Sequence, residues 1–224
     1  MVRAVCFDLD GTLGGYAGDF QGLIALLRSE LMLHACDMNS FSELVKQELA
    51  RDGALTFHDV MAKVLERLTQ KAPRDLAELA REAVAVYASE VRPAPGAAEL
   101  LARLSGAGIG LALLSNGPVD MQRAALHALG FERHFKVVLI SGDPDVAARK
   151  PSPRIFSLAC AGLMSSPGET LMIGDNLLAD VKGALDYGMQ AVLIGSDRDG
   201  LDAGVPAVGG LLPLDTLLTT RYGL

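Results

Sequence analysis

The sequence predicts an α/β protein, a parallel sheet with helices on both faces plus an inserted all-helical subdomain. Three observations carry that expectation. A short apolar run at the start, "VRAVCFDL" (2–9), ends in acids and a glycine, as a buried parallel strand does. From residue 93 onward, strand-like apolar runs alternate with helical spacing, the rhythm of crossover units. Between the two lies a long stretch, residues 15 to 92, with helical periodicity only.

Taken in order, the first strand is expected to join the sheet that resumes after the insertion, giving a core of 1–14 and 93–224 and a helical unit of 15–92. Helices are expected at 19–35, 41–52, 57–70 and 74–91. Two carry start signals: Ser40 with Glu43, and Thr56 with Asp59, each with the hydroxyl and acid three apart that make a capping box. The Pro- and Gly-punctuated stretch "RPAPGAAELLARLSGAG" (92–108) marks the return to the core. Helix 96–106 then leads to strand 109–114, helix 118–129 to strand 136–140, helix 153–163 to strand 170–173, and helix 177–187 to strand 190–194. The segment 196–204 reads as a solvated loop, and the tail as one short strand and a helix after Pro213.

A chain of 224 residues can bury one large core and still carry a smaller unit. Half of it is hydrophobic and only 5% aromatic, without tryptophan, which suits a helix-rich globular protein. The net charge of −7 argues against a nucleic-acid polymer as partner, so a small anionic substrate needs a local positive site. Cys6, Cys36 and Cys160 are odd in number, far apart and outside any CxxC, and read as buried apolar residues in a reducing compartment. Asp8 and Asp10 interrupt the early apolar run, so no secretory signal is expected. No stretch approaches the roughly 18 apolar residues of a membrane span, so no membrane partner is expected and the cytoplasm is the expected location. Nothing in the sequence bears on oligomeric state.

In open α/β sheets ligands gather beyond the C-terminal strand ends. The first predicted strand delivers Asp8 and Asp10 there, the second Ser115 to Gly117, the third a loop reaching Lys150, and the fourth Asp175 and Asp180. Clustered carboxylates suit a hard cation such as Mg2+, while hydroxyl, helix N-terminal N–H and ammonium groups suit phosphate oxygens. Each piece alone has an ordinary explanation as a turn, a helix cap or a solvated charge. Their arrival in order at four strand ends favours one site for a phosphate and a divalent cation.

The motifs "FDLDGTL" (7–13), "LLSNG" (113–117), "KPSPRIF" (150–156) and "IGDNLLAD" (173–180), in this order, resemble those of the haloacid dehalogenase-like superfamily of hydrolases, whose Rossmann-like core they span. The resemblance implies a Mg2+-dependent phosphomonoester hydrolase acting on a small phosphorylated metabolite through an aspartyl-phosphate. Asp8 is then the nucleophile and Asp10 the general acid and base. Asp8, Asp175 and the Asp10 main-chain carbonyl hold the metal, and Ser115, Asn116 and Lys150 hold the phosphoryl group. Thr12 is expected to steady Asp10, and Asp180 to orient Lys150 or the metal site. The insertion looks like the family's helical cap. A phosphosugar mutase and a non-catalytic binding or regulatory relative are the alternatives the same motifs leave open. Members that break carbon–halogen bonds generally lack an acid where Asp10 stands, so dehalogenation is disfavoured.

Two departures from the family pattern stand out. Gly14 and Gly15 replace a more usual acidic residue and suggest a loose hinge, and Ala147 stands where glycine is frequent. Within the insertion His34, Lys46, Arg51, His58, Lys63 and Arg67 are the visible polar candidates for substrate contact, and nothing in the sequence separates any of them from a solvated helix face.

Overall fold

The computed structural model describes residues 2–71, 75–195 and 204–224. The first half of the chain contributes β1 (Ala4–Phe7), β2 (Gly14–Tyr16), α1 (Phe20–Glu30), α2 (Met38–Leu49), α3 (Phe57–Arg67), α4 (Leu76–Ser89) and β3 (Val91–Pro93). The second half adds α5 (Ala97–Gly106), β4 (Gly110–Ser115), α6 (Val119–Leu129), β5 (Val137–Ile140), α7 (Pro153–Leu163) and β6 (Thr170–Gly174). After a π-helical turn (Leu177–Lys182) come α8 (Gly183–Asp186), β7 (Gln190–Ile194), β8 (Ala207–Val208) and α9 (Leu211–Leu217).

Among the described residues, six strands form one parallel sheet in the order β5-β4-β1-β6-β7-β8. β1 lies between β4 and β6, with Phe7 opposite both Leu113 and Ile173. Strand side chains alternate between two faces: Val5, Phe7, Leu111, Leu113 and Ile173 join one apolar core, and Ala4, Cys6, Ala112, Leu114 and Met172 the other. The chain runs outward from β1 to β4 and β5, then returns past β1 to β6. The strand order reverses beside β1, and a crevice opens there at the C-terminal strand ends.

β2 and β3 pair antiparallel, Gly14 opposite Pro93 and Tyr16 opposite Val91, and carry the chain out to α1–α4 and back. A Cβ at Gly14 would stand 2.7 Å from the Arg92 carbonyl oxygen, so glycine is there because the returning strand comes close. That gives Gly14 a packing reason of its own, apart from any hinge, while a Cβ at Gly15 would meet only an ordinary contact at 3.6 Å. Thr56 and Asp59 form the expected capping box on α3. Ser40 and Glu43 do not form one: α2 starts three residues earlier than expected, capped by Asp37, whose carboxylate accepts the Ser40 N–H at 3.0 Å.

The helical segment is latched to the core. The Leu55 N–H donates to Gly142 O, the Leu55 carbonyl accepts the Val119 N–H, both at 2.9 Å, and the Phe57 N–H donates to the Asp120 carboxylate at 2.9 Å. α4 packs against α6, and Phe41, Val60, Met61 and Val64 share one core with Phe7 and Leu113. Ala147, where glycine was expected, is held at a φ of +44°, a conformation glycine adopts freely and alanine at a cost of about 1–2 kcal/mol.

The remaining differences are local. The helix after Asn176 opens as a π-turn rather than running regularly to 187. α9 begins at Leu211, ahead of Pro213, which occupies the first turn, where the missing N–H leaves no acceptor wanting. Cys6 and Cys160 are buried free thiols, as expected, but Cys36 is only partly buried. Most of the expected loop at 196–204 lies outside the described residues. No helix among the described residues is long and apolar enough to cross a membrane.

Candidate active site

At the crevice beside β1, a cavity of about 270 Å³ is lined by Asp8, Asp10, Ser115, Asn116, Lys150, Asp175 and Asp180, together with Arg149. Seven of the eight residues singled out in the sequence therefore face one space. Asp8 follows β1 directly, and its N–H still donates to Ile173 O at 2.9 Å, so the sheet ladder fixes its backbone. Asp175 follows β6 and packs against the turn after Asp10. There Gly11 has a φ of +85°, and a Cβ on it would overlap the Asp175 carboxylate.

Lys150 holds the centre. Its buried ammonium donates to Asp8 Oδ1 at 2.5 Å and to Leu114 O at 2.6 Å, and lies 2.8 Å from Asp180 Oδ1 in an ion pair without an aligned hydrogen bond. Burial alone would depress the Lys150 pKa, but Asp8 and Asp180 outweigh it and hold the amine charged. Asp180 Oδ2 accepts the Asn176 N–H at 3.0 Å, which locks this buried acid facing Lys150.

The carboxyl of Asp8 is pushed up by burial. Lys150 opposes that push, and the like charges of Asp180 and Asp175 add to it. Asp175 is likewise raised, by burial first and then by Asp180. Asp8 Oδ2 is buried without a hydrogen-bond partner, and Asp8, Asp175 and Asp180 each offer a carboxylate oxygen within 4.8 Å of the others. An orphaned carboxylate oxygen beside two more acids is a donor set that fits a hard divalent cation.

Asp10 faces the same cavity but is held by different partners. Tyr87 Oη on α4 donates to Asp10 Oδ1 at 3.3 Å, and Gln122 Nε2 on α6 donates to Asp10 Oδ2 at 3.0 Å. The Ser115 hydroxyl in turn donates to Gln122 Oε1 at 2.6 Å, and Tyr87 stacks on Tyr16 with ring centroids 5.2 Å apart. Burial lifts the Asp10 carboxyl by more than these two donors lower it, while burial and the Asp10 charge keep the Tyr87 hydroxyl protonated.

One expected role changes here, and two residues show further partners. Thr12 does not steady the Asp10 carboxylate: its hydroxyl is buried without a partner, and Gln122 and Tyr87 take that place. The Ser115 proton is already committed to Gln122. The side chain of Asn116 clasps the Lys150 backbone, donating to its carbonyl at 3.0 Å and accepting its N–H at 2.9 Å. Gln122, Tyr87 and Arg149 were missed. A glutamine at position 122, on the apolar face of α6 with Met121, Ala125 and Leu126, was the signal available for the first. Tyr87 looks like an ordinary core residue in line with Leu79 and Ala83.

A phosphoserine phosphatase of Thermus thermophilus is 41% identical over 120 residues, 52% of this chain and 47% of the relative, so that match spans about half of each. A ribulose-1,5-bisphosphate 5-phosphatase of Halopiger xanaduensis is 32% identical over 204 residues, 86% of this chain and 84% of the relative. Among solved structures, a 2-haloacid dehalogenase of Pseudomonas syringae shares the fold, with a TM-score of 0.74 at 23% identity over 99% of this chain and 100% of that one. The family model for haloacid dehalogenase-like hydrolases matches residues 2–188, from the first strand past the last of the clustered acids, and the chain belongs to that family.

Proposed function

We propose that this protein is a cytoplasmic phosphatase that hydrolyses monoesters of small phosphorylated metabolites through an aspartyl-phosphate on Asp8, with Mg2+ as its cation and residues 15–92 as a cap over the site. The observation that carries the reading is the arrangement around Asp8: one oxygen on the Lys150 ammonium, the other orphaned beside Asp175, and a separately held acid, Asp10, on the same cavity. Both phosphatase relatives support the reaction class. The buried free thiols Cys6 and Cys160 support a reducing compartment.

In the first half-reaction an Asp8 carboxylate oxygen forms a bond to phosphorus as the bond from phosphorus to the ester oxygen breaks. Asp10 gives its proton to that departing oxygen. In the second, Asp10 takes a proton from water, whose oxygen attacks phosphorus and frees Asp8 and inorganic phosphate. Lys150 neutralises charge on the nucleophile and on the transferring phosphoryl oxygens, and Asp180 keeps it aimed. Ser115 and the backbone at Asn116 border the space for those oxygens. Asp8, Asp175 and the Asp10 carbonyl would hold Mg2+, which would supply positive charge where an anionic nucleophile meets an anionic ester.

The dehalogenase fold match does not redirect this reading. A halide leaves without needing a proton, whereas here a raised carboxyl with two dedicated donors faces the site. The test is Mg2+-dependent phosphate release from p-nitrophenyl phosphate. Asp8→Asn is expected to lower it by at least about 10⁴-fold with the fold intact by circular dichroism; full activity in that variant would exclude the mechanism.

A further inference from the structure

An ester oxygen departing toward Asp10 must lie on the side where Asp10 is held. Tyr87 and Gln122, the two side chains that hold it, both line a second cavity of about 320 Å³ between the helical segment and the core. Asn116 and Arg149 line both cavities, so the two adjoin at that edge. Charge divides them. The first is lined by four carboxylates; the second has no carboxylate in its lining, and its charged residues are Lys46 and Arg149 between the apolar walls of Phe20, Leu49 and Met121.

Neither cation is neutralised by contact with an acid among the described residues. The half-buried guanidinium of Arg149 donates through Nη1 to the carbonyls of Leu49 and Arg51, while nearby Asp52 accepts the Arg149 backbone N–H instead. Burial pulls down the Arg149 pKa by more than the charge of Asp52 raises it, so this cation is drawn out of water with only partial compensation. Lys46 is exposed on α2 and has no carboxylate partner among the described residues, whereas Arg51 and Arg67 share Glu48 and Lys63 pairs with Glu66.

We infer that the second cavity is a leaving-group subsite for a short carbon skeleton carrying its own anion, a carboxylate or a second phosphate, recognised by Lys46 and Arg149. The inference rests on the phosphatase reading and adds to it the class of ester that the site selects. Apolar walls accommodate the skeleton, and a guanidinium and an ammonium in one lining that holds no carboxylate give the second anion its counter-charge.

The test compares kcat/KM, with Mg2+, for matched esters: 3-phosphoglycerate against glycerol 3-phosphate for the carboxylate, and 1,3-propanediol bisphosphate against 3-hydroxypropyl phosphate for the second phosphate. The purified protein is expected to favour the doubly anionic member of at least one pair about tenfold or more, and the preferred pair identifies the anion. Lys46→Met and Arg149→Gln are each expected to shrink that preference about tenfold, mainly through KM, with Lys46→Arg restoring it. Lys63→Met, an exposed change on α3, leaves the preference as it was. Hydrolysis of p-nitrophenyl phosphate with no preference in either pair, or a preference untouched by both substitutions, overturns the subsite alone. Failure to release phosphate from any of these esters overturns the phosphatase reading and the subsite with it.

Discussion

At the ends of β1, β4 and β6 the functional side chains are held by one another: Lys150 by Asp8 and Asp180, Ser115 by Gln122, and the Lys150 backbone by Asn116. Across the cavity, in α1–α4, the side chains that reach toward the site other than Tyr87 make no hydrogen bond to it, and Lys46 has no acidic partner among the described residues. The first region is a buried polar network in which two acids depend on the one ammonium of Lys150. The second is an amphipathic surface on which single changes are cheap. A centre that repeats the same chemistry calls for fixed geometry, while a surface that chooses among esters can vary without unfolding the protein.

The strongest way to break that contrast is Lys150→Met. It leaves Asp8 and Asp180 buried together without their shared ammonium, and stability to urea is expected to fall by about 3–5 kcal/mol. A loss below about 1 kcal/mol would mean that the network does not hold the strand ends together. Next comes the junction of the two regions. Gln122→Met is expected to slow hydrolysis of alkyl phosphates by about 10²-fold and Tyr87→Phe by about tenfold, with p-nitrophenyl phosphate, whose leaving group needs little protonation, affected far less. Equal losses on both substrates would reduce the two residues to packing. The smallest effect belongs to the helical segment itself: Thr56→Ala removes the cap of α3 and is expected to cost about 1 kcal/mol in thermal unfolding, with turnover unchanged. A marked loss of turnover there would join two regions that the comparison separates.

The same contrast explains what could be read from the sequence. Asp8, Asp10, Asp175 and Asp180 closely follow apolar strands and Lys150 closes the loop after another, and strand ends of a parallel sheet converge, so their meeting was legible. The partners of Asp10 were not, because Tyr87 and Gln122 reach it across 77 and 112 positions of chain. Helical periodicity marks both as core-facing without saying what polar atom they meet. Cap chemistry was legible where one residue could serve, at Thr56. It was misassigned where Asp37 and Ser40 stand three apart and either could begin the helix. Gly14 and Gly15 suggested freedom, since their lack of a side chain is visible in sequence and the nearby Arg92 carbonyl is not.

The Tyr87 hydroxyl on Asp10 also sets a condition on exchanging parts between proteins. Tyr87 lies in the last turn of α4, just before the chain re-enters the core through β3. A foreign helical segment spliced in between β2 and β3 would bring its own walls and charges. Unless it also presented a hydroxyl at that point, Asp10 would be left with one of its two anchors missing. Transplanting selectivity and preserving rate are therefore a single engineering problem in this fold, and Tyr87 is the residue a chimera must keep.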